Sequence, residues 1–598
     1  MTHFVSAAEA GRDSAVSRGV THGFLTGPRP VFGSYHAPQG SSPRNIAYVL
    51  CPPHGWEGIQ FYETIHLLAK ALAAAGFPTL RLHYDGTGES FGTDEDPNRV
   101  DAWTESIRSA VKAMASVPGV EHVGLVAVRM AALLAGKVAS DLDIAKLVLW
   151  EPCVTGASYT REMEILASAS PRAAQKEGDS GTSYGVEAGG YVLTRATVAE
   201  LGTIDLTKTT LRGKPDVLVI CRDDRPPIFA KKLAAHLEGQ GVATKLEQLP
   251  GYKDAMTYPE KAKPGVAMID RIRDWAVEHS QTIVGDASNA EKGSSLALAP
   301  EAIVGSTRRR PIRFGPANRI FGVLTEPTTR PSSPKTPVLL LTGGVVPRIS
   351  VNRMYVVLAE RLAAMGHTVL RPDVSGICES PPAEGLPAND PHASTLLGDV
   401  KNAVELLLNE TGSDTITLLG LCSGAYASFQ TALTDPRVRN IVLLNPEVFH
   451  LKDGTPKFSQ TEQSHAANHY KQSLLDPEKW KKLLTGKANL RYIAGFVVAK
   501  AKTTIETARE RIEARITKVP QGLAGDLHRF ANKGVKVTVV MAHGDSGYES
   551  LMSQLSNELD GLKQVGFRLE LTPGPDHTFN DFSTREPLIE KLVEILDS

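Results

Sequence analysis

The sequence predicts an α/β protein built from two successive domains. Each is a mostly parallel sheet flanked by helices, with helical cap insertions. Three observations predict it. Apolar, β-rich runs alternate with amphipathic helical patterns, which is the signature of βαβ units. The same series of elements occurs twice along the chain. At 598 residues the chain is longer than one hydrophobic core sustains.

The repeat can be followed element by element. Arg29-Pro30-Val31-Phe32-Gly33 matches Arg319-Ile320-Phe321-Gly322. Each leads through a Pro/Ser turn into an apolar strand, Ile46 to Leu50 or Pro337 to Leu341. The strands end in Gly-containing loops, His54-Gly55 and Gly343-Gly344. Amphipathic helices follow at Leu67 to Leu72 and Val357 to Leu362. Gly76 and Gly366 mark their C-terminal ends. The next strands are Thr79 to Leu82 and Thr368 to Arg371. They enter an Asp-x-x-Gly turn at Asp85 and Asp373, with Glu-Ser shortly after in both copies. A helix, a strand and a second sharp turn follow, then strands Lys146 to Trp150 and Ile441 to Leu444. The first domain is predicted over 1–280, a Ser/Ala/Gly/Asn-rich linker over 281–300, and the second domain over 301–598.

One stretch of the second copy carries chemistry. Thr415 to Leu419 reads as a strand and Ala425 to Leu433 as a helix. Between them stands Gly420-Leu421-Cys422-Ser423-Gly424. A strand, a glycine-flanked turn and a helix form the setting of a nucleophile elbow, in which a strained residue presents its side chain. A buried apolar cysteine would leave both glycines without a reason.

Both halves resemble α/β-hydrolase domains, so the fold expected is two tandem α/β-hydrolase domains. The N-terminal half resembles exosortase-associated-hydrolase and serine-aminopeptidase-like domains. The C-terminal half is similar to bacterial α/β-hydrolases with a Gly-Leu-Cys-Ser-Gly elbow. The resemblance implies a base and an acid after the nucleophile, on loops that follow late strands. Val535 to Ala542 leads into His543-Gly544-Asp545, which puts Asp545 at the acid position. Phe567 to Leu571 leads into Asp576-His577, which puts His577 at the base position. His543 is the nearby competitor and precedes the acid. The resemblance also implies an oxyanion hole from backbone amides, Ser423 after the nucleophile and Gly344 or Val345 in the glycine loop. Cys378, after the Asp-x-x-Gly turn, is read as packing.

A thiolate paired with histidine is a strong nucleophile and forms a thioester acyl-enzyme. Thioesters react comparatively well with amines and thiols. Cysteine at the elbow therefore points to transfer of an acyl group to an amine, alcohol or thiol. Thioesterase or esterase hydrolysis is the close alternative, and a non-catalytic binding scaffold is the alternative of another class.

A cap insertion is predicted at about 448–533. From Lys471 to Lys518 it has twelve basic and five acidic residues, in a chain whose net charge is -1. A solvated helix face accounts for this. The sharper reading is a docking surface at Lys481, Lys482 and Lys487 for a carrier-protein- or CoA-bound acyl thioester.

The first domain looks unequipped for the same chemistry. The repeat places Arg129 opposite Cys422, with Ala127 and Ala131 in place of the glycines. Arginine stays protonated and cannot be this nucleophile. No histidine stands in Pro250 to Met256, where the base belongs. The expected roles are packing, shaping the entrance, ligand binding through Arg129, or homodimer formation.

The balanced charge gives no argument for nucleic acid. Five scattered cysteines and the polar stretch Met1 to Val20, which lacks an apolar core, predict a reduced cytoplasmic protein without a signal peptide. No apolar run is long enough to span a bilayer. No P-loop, dinucleotide fingerprint or metal cluster is found, so no cofactor is expected.

Overall fold

The computed structural model describes residues 19–27, 29–39, 43–168, 185–278, 280–282, 296–329, 335–451, 522–545, 547–555, 558–574 and 577–597. Most of the predicted cap, with Lys481, Lys482 and Lys487, lies outside the described residues, as does most of the predicted linker.

The N-terminal half contributes β1 (Val20–Leu25), β2 (Val31–His36), β3 (Ile46–Cys51), β4 (Thr79–Leu82), β5 (His122–Val128), β6 (Lys146–Trp150), β7 (Gly185–Ala188), β8 (Tyr191–Thr194), β9 (Asp216–Arg222) and β10 (Thr244–Leu249). The C-terminal half contributes β11 (Ala302–Val304), β12 (Thr307–Phe314), β13 (Ile320–Pro327), β14 (Val338–Leu341), β15 (Val369–Asp373), β16 (Ile416–Leu421), β17 (Val438–Leu444), β18 (Lys536–Ala542) and β19 (Phe567–Thr572). The first sheet runs β1-β2-β4-β3-β5-β6-β9-β10, with β7 and β8 set apart as a hairpin. The second runs β11-β12-β13-β15-β14-β16-β17-β18-β19. With β11 and the hairpin set aside, the two orders are the same.

In both sheets the first strands pair antiparallel and the rest pair parallel. The central strands are continuous apolar runs, such as Val338 to Leu341 and Ile416 to Leu421, and are buried on both faces. That composition is what a parallel sheet covered by helices requires. The helix Val266–Glu278 follows the last strand of the first sheet, and the helix Phe582–Asp597 follows the last strand of the second.

The two halves meet through the repeated turns, and the contact is nearly two-fold symmetric. Glu89 of the first turn receives both outer nitrogens of Arg371 at 3.0 and 2.8 Å. Glu379 of the second turn receives Arg81 at 2.5 Å. The arginines and glutamates are equivalent positions of the repeat, exchanged between halves. Ser90 and Ser380 match too, each accepting the amide of Phe32 or Phe321 at 2.8 Å. Phe24, Phe32, Phe91, Phe321 and Val323 form an apolar cluster between the halves.

Candidate active site

The elbow forms as its glycines demand. Cys422 directly follows β16 with φ 52° and ψ -112°, a positive-φ conformation that costs a non-glycine residue about 1–3 kcal/mol. Its amide donates to the Leu444 carbonyl at 3.0 Å, and its carbonyl accepts from Ala425 and Tyr426. A Cβ on Gly420 would lie 2.0 Å from the Gly424 carbonyl oxygen. One on Gly424 would lie 2.3 Å from that of Leu341. Only glycine fits at either place. The helix Ser423–Thr434 starts directly after the cysteine, which stands at its N-cap position.

Asp545 and His577 come together from the loops after β18 and β19. His577 Nδ1 lies 2.5 Å from Asp545 Oδ2. The other Asp545 oxygen accepts from the Gly547 amide at 2.6 Å, which fixes the carboxylate at the start of the helix Gly547–Leu555. Asp545 is almost fully buried, and the His577 side chain is 15% exposed. Burial alone would lower the pKa of His577. The neighbouring Cys422 sulfur and the Asp545 hydrogen bond outweigh it and hold the imidazole well above its ordinary value. His543 is exposed and takes no part.

A further group stands here that the sequence reading did not single out. Glu447, just past β17, brings Oε1 to 3.7 Å from His577 Nδ1. Cys422, Glu447 and His577 each offer one ligand atom, and these lie within 4.8 Å of one another, the one such group of three among the described residues. Thiolate, imidazole and carboxylate are zinc-ligand types, and a carboxylate behind the histidine is the usual outer partner. With Nδ1 held by Asp545, only Nε2 is left for a metal or for a proton moving to and from the sulfur. Asn445 completes the setting. Its Nδ2 donates to the His577 carbonyl at 2.7 Å, and its Oδ1 accepts from Ala542 at 2.8 Å. Asn445-Pro446-Glu447 directly after a buried strand was the available signal: polar side chains at a strand's C-terminal end.

The glycine loop lies against the elbow. A Cβ on Gly343 would be 2.8 Å from that of Cys422. The Gly344 amide donates to Ser423 Oγ at 3.0 Å, so it is committed. Among the described residues, the amides of Ser423 and Val345 have no hydrogen-bond partner. Of the two amides expected from this loop, Val345 is the one left available. The Cys378 sulfur sits 3.9 Å from the Val345 carbonyl, and burial pushes its thiol pKa well up.

The equivalent place in the N-terminal half keeps the backbone and changes the chemistry. Arg129 has φ 57°, and its amide donates to Trp150 just as that of Cys422 does to Leu444. Its guanidinium is buried and paired with Glu57 at 2.9 Å and Glu162 at 2.8 Å. Cys51, Cys153 and Cys221 are buried, and burial raises each thiol to about 12.

Sheet order, elbow and facing acid–histidine pair define an α/β-hydrolase fold with cysteine at the elbow. Residues 336–488, a span that contains β14 to β17, match the family model described as the alpha/beta hydrolase fold. Several solved structures are similar at low identity. Est1E from Butyrivibrio proteoclasticus with ferulic acid bound is 16% identical, with 43% of this chain and 98% of that chain covered and a TM-score of 0.33. The esterase Pf2001 of Pyrococcus furiosus is 12% identical, covering 44% and 90%, with a TM-score of 0.31. An alpha-beta serine hydrolase homologue from Coxiella burnetii is 15% identical, covering 43% and 96%, with a TM-score of 0.27. No curated protein matches the chain. Among the described residues, no helix is long and apolar enough to cross a membrane.

Proposed function

We propose that the protein is a cysteine-dependent acyl-transfer enzyme whose chemistry resides in the C-terminal domain. The observation that carries this reading is His577, held by Asp545 at 2.5 Å and set beside the sulfur of a strained, helix-capping Cys422.

The Cys422 thiolate attacks the acyl carbonyl carbon of a thioester or ester. A C–S bond forms and the carbonyl electron pair moves to oxygen, where the amides of Ser423 and Val345 receive it. The oxyanion collapses and the C–S or C–O bond to the leaving group breaks. His577 gives that group its proton, and a thioester acyl-enzyme remains. An amine, alcohol or thiol then loses a proton to His577 and attacks the acyl carbon, and Cys422 leaves as thiolate. Asp545 keeps the proton of His577 on Nδ1 and balances the imidazolium. Water as acceptor turns the same steps into thioester or ester hydrolysis.

The N-terminal domain is catalytically silent in this reading, because Arg129 fills the nucleophile position and is neutralised by Glu57 and Glu162. The basic stretch with Lys481, Lys482 and Lys487 is proposed to dock a carrier- or CoA-bound substrate. Charge reversal there should weaken binding of carrier-bound substrate and leave small thioesters unaffected.

The test is intact mass after incubation with acyl thioesters and esters, repeated with Cys422→Ala. An acyl adduct on the wild-type chain that is absent from the variant supports the reading. No adduct and no turnover across both substrate classes would favour a binding scaffold. Partition between added amine or alcohol and water separates transfer from hydrolysis.

A further inference from the structure

The loop from His577 to Phe582 joins β19 to the last helix, Phe582–Asp597, and its own half holds it through the His577–Asp545 pair, the burial of Phe579 and two side-chain amides. Asn445 takes the His577 carbonyl, and Asn352 Nδ2 donates to the Phe579 carbonyl at 3.0 Å. Phe579 has φ 54°, so the loop keeps a conformation that its surroundings must impose.

Further supports come from the N-terminal half. The Phe582 amide, at the start of the last helix, donates to Glu187 Oε1 at 2.8 Å. Glu187 lies on β7, so a carboxylate of one half caps a helix of the other. The turn between β7 and β8 presses on the same loop. A Cβ on Gly190 would lie 2.7 Å from Asn580 Oδ1 and 2.8 Å from the Asn580 carbonyl oxygen. Asn352 is itself anchored across the interface through its neighbour. The Arg353 guanidinium donates to the carbonyls of Gly86, Gly88, Ser90 and Gly92. A Cβ on Gly344 would lie 3.2 Å from Glu260 Oε1, so an N-terminal loop also borders the glycine loop beside Cys422.

We infer that the N-terminal half is a working part of the catalytic centre: its β7–β8 hairpin fixes the loop that carries His577, with Glu187 as the positioning residue. This rests on the role given to His577 above. The hairpin is inserted after β6, the place in its own half that the cap insertion has after β17. The half without a nucleophile uses that insertion to set the base of the other half. A base displaced by about 1 Å can cost on the order of 100-fold in rate, so a loop held from outside its own domain is a sensitive element.

Two readouts test this, one of which needs no substrate. The first is the pH profile of Cys422 alkylation by iodoacetamide, followed by peptide mass so that Cys378 is counted separately. It reports how strongly His577 favours the thiolate. The second is kcat and KM with an acyl thioester. Glu187→Ala should lower kcat about tenfold with KM little changed, and slow Cys422 alkylation at pH 6, while Glu187→Gln keeps the acceptor and stays within about twofold of wild type. Gly190→Ala disturbs the same loop and should act in the same direction. Thermal unfolding confirms that each variant is folded. His577→Ala sets the scale. If it moves the alkylation profile and both hairpin variants match wild type, the positioning role is wrong and the catalytic reading stands. If His577→Ala itself leaves the profile unmoved, the catalytic reading fails and the inference falls with it.

Discussion

Glu89 and Arg371 form a fully buried two-pronged ion pair across the interface, and Arg348 adds a second guanidinium to Glu89 at 3.0 Å. Burial alone would raise the Glu89 pKa, but the arginines outweigh it and hold the carboxyl well below its ordinary range. Removing one partner leaves a charge buried without compensation. Arg371→Ala should cost about 3–5 kcal/mol of stability, the range for breaking such pairs. Urea unfolding of Arg371→Ala and Glu89→Gln beside an exposed control, Arg212→Ala, checks this. A loss in the interface variants no larger than in the control would mean that the pair is not an anchor.

The same interface should be sensitive to mild acid. His36 accepts from Arg81 Nε at 3.2 Å, so it must be neutral. Burial and Arg81 bring its pKa down to about 3, and burial with Arg348 does the same for His83. Their folded values lie below the unfolded value, so the unfolded chain binds protons first as pH falls. Their contribution is complete above about pH 6.5 and declines by about 1.4 kcal/mol per pH unit per histidine down to about 3. Carboxylates such as Glu89 add their loss only below about pH 4.3. Urea midpoints should therefore fall between pH 7 and pH 5, and less steeply in His36→Phe. A flat wild-type curve over that interval would count against neutral histidines at the interface.

Two carboxylates face His577, and they should share the task of orienting it. Asp545 lies at 2.5 Å and Glu447 at 3.7 Å from Nδ1. Asp545→Asn should slow thioester turnover by well under the roughly 10⁴-fold seen where nothing replaces the acid. Adding Glu447→Gln should remove most of what remains and lower the pH at which the base titrates, because both negative neighbours are gone. Glu447→Gln alone should have a small effect. If the double variant is no slower than Asp545→Asn, Glu447 has no share in the function.

Much of this could be read from the chain. The strands were legible because both-face burial makes them continuous apolar runs. The elbow was legible because Gly420 and Gly424 have no other use, and Asp545 and His577 because they follow late strands. The approach of Glu447 was not, since a turn with Asn445 at φ 40° sets its direction. The crossed pairs were half visible. The repeat showed a Glu-Ser in both copies, but only the sheet register makes Arg81 and Arg371 equivalent, and only the packed halves show that each glutamate binds the other copy's arginine. Glu187 carried no local signal, because its partner is a backbone amide 395 residues away.

The elbow glycines give a last prediction with an internal control. A Cβ on Gly424 would meet the Leu341 carbonyl oxygen at 2.3 Å, a backbone atom held in the centre of the sheet. It cannot yield without moving β14 away from Cys422. Gly424→Ala should cost about 1–3 kcal/mol or more as overpacking and abolish the fast alkylation of Cys422. Gly398, in the helix Leu396–Thr411, has nothing within 4 Å of the same added atom. There alanine should stabilise by about 0.4–1 kcal/mol, through the reduced freedom of the unfolded chain. Thermal unfolding of the two variants should shift in opposite directions. A Gly424→Ala protein with wild-type stability and Cys422 reactivity would show that the elbow is looser than the close approach of its backbone implies.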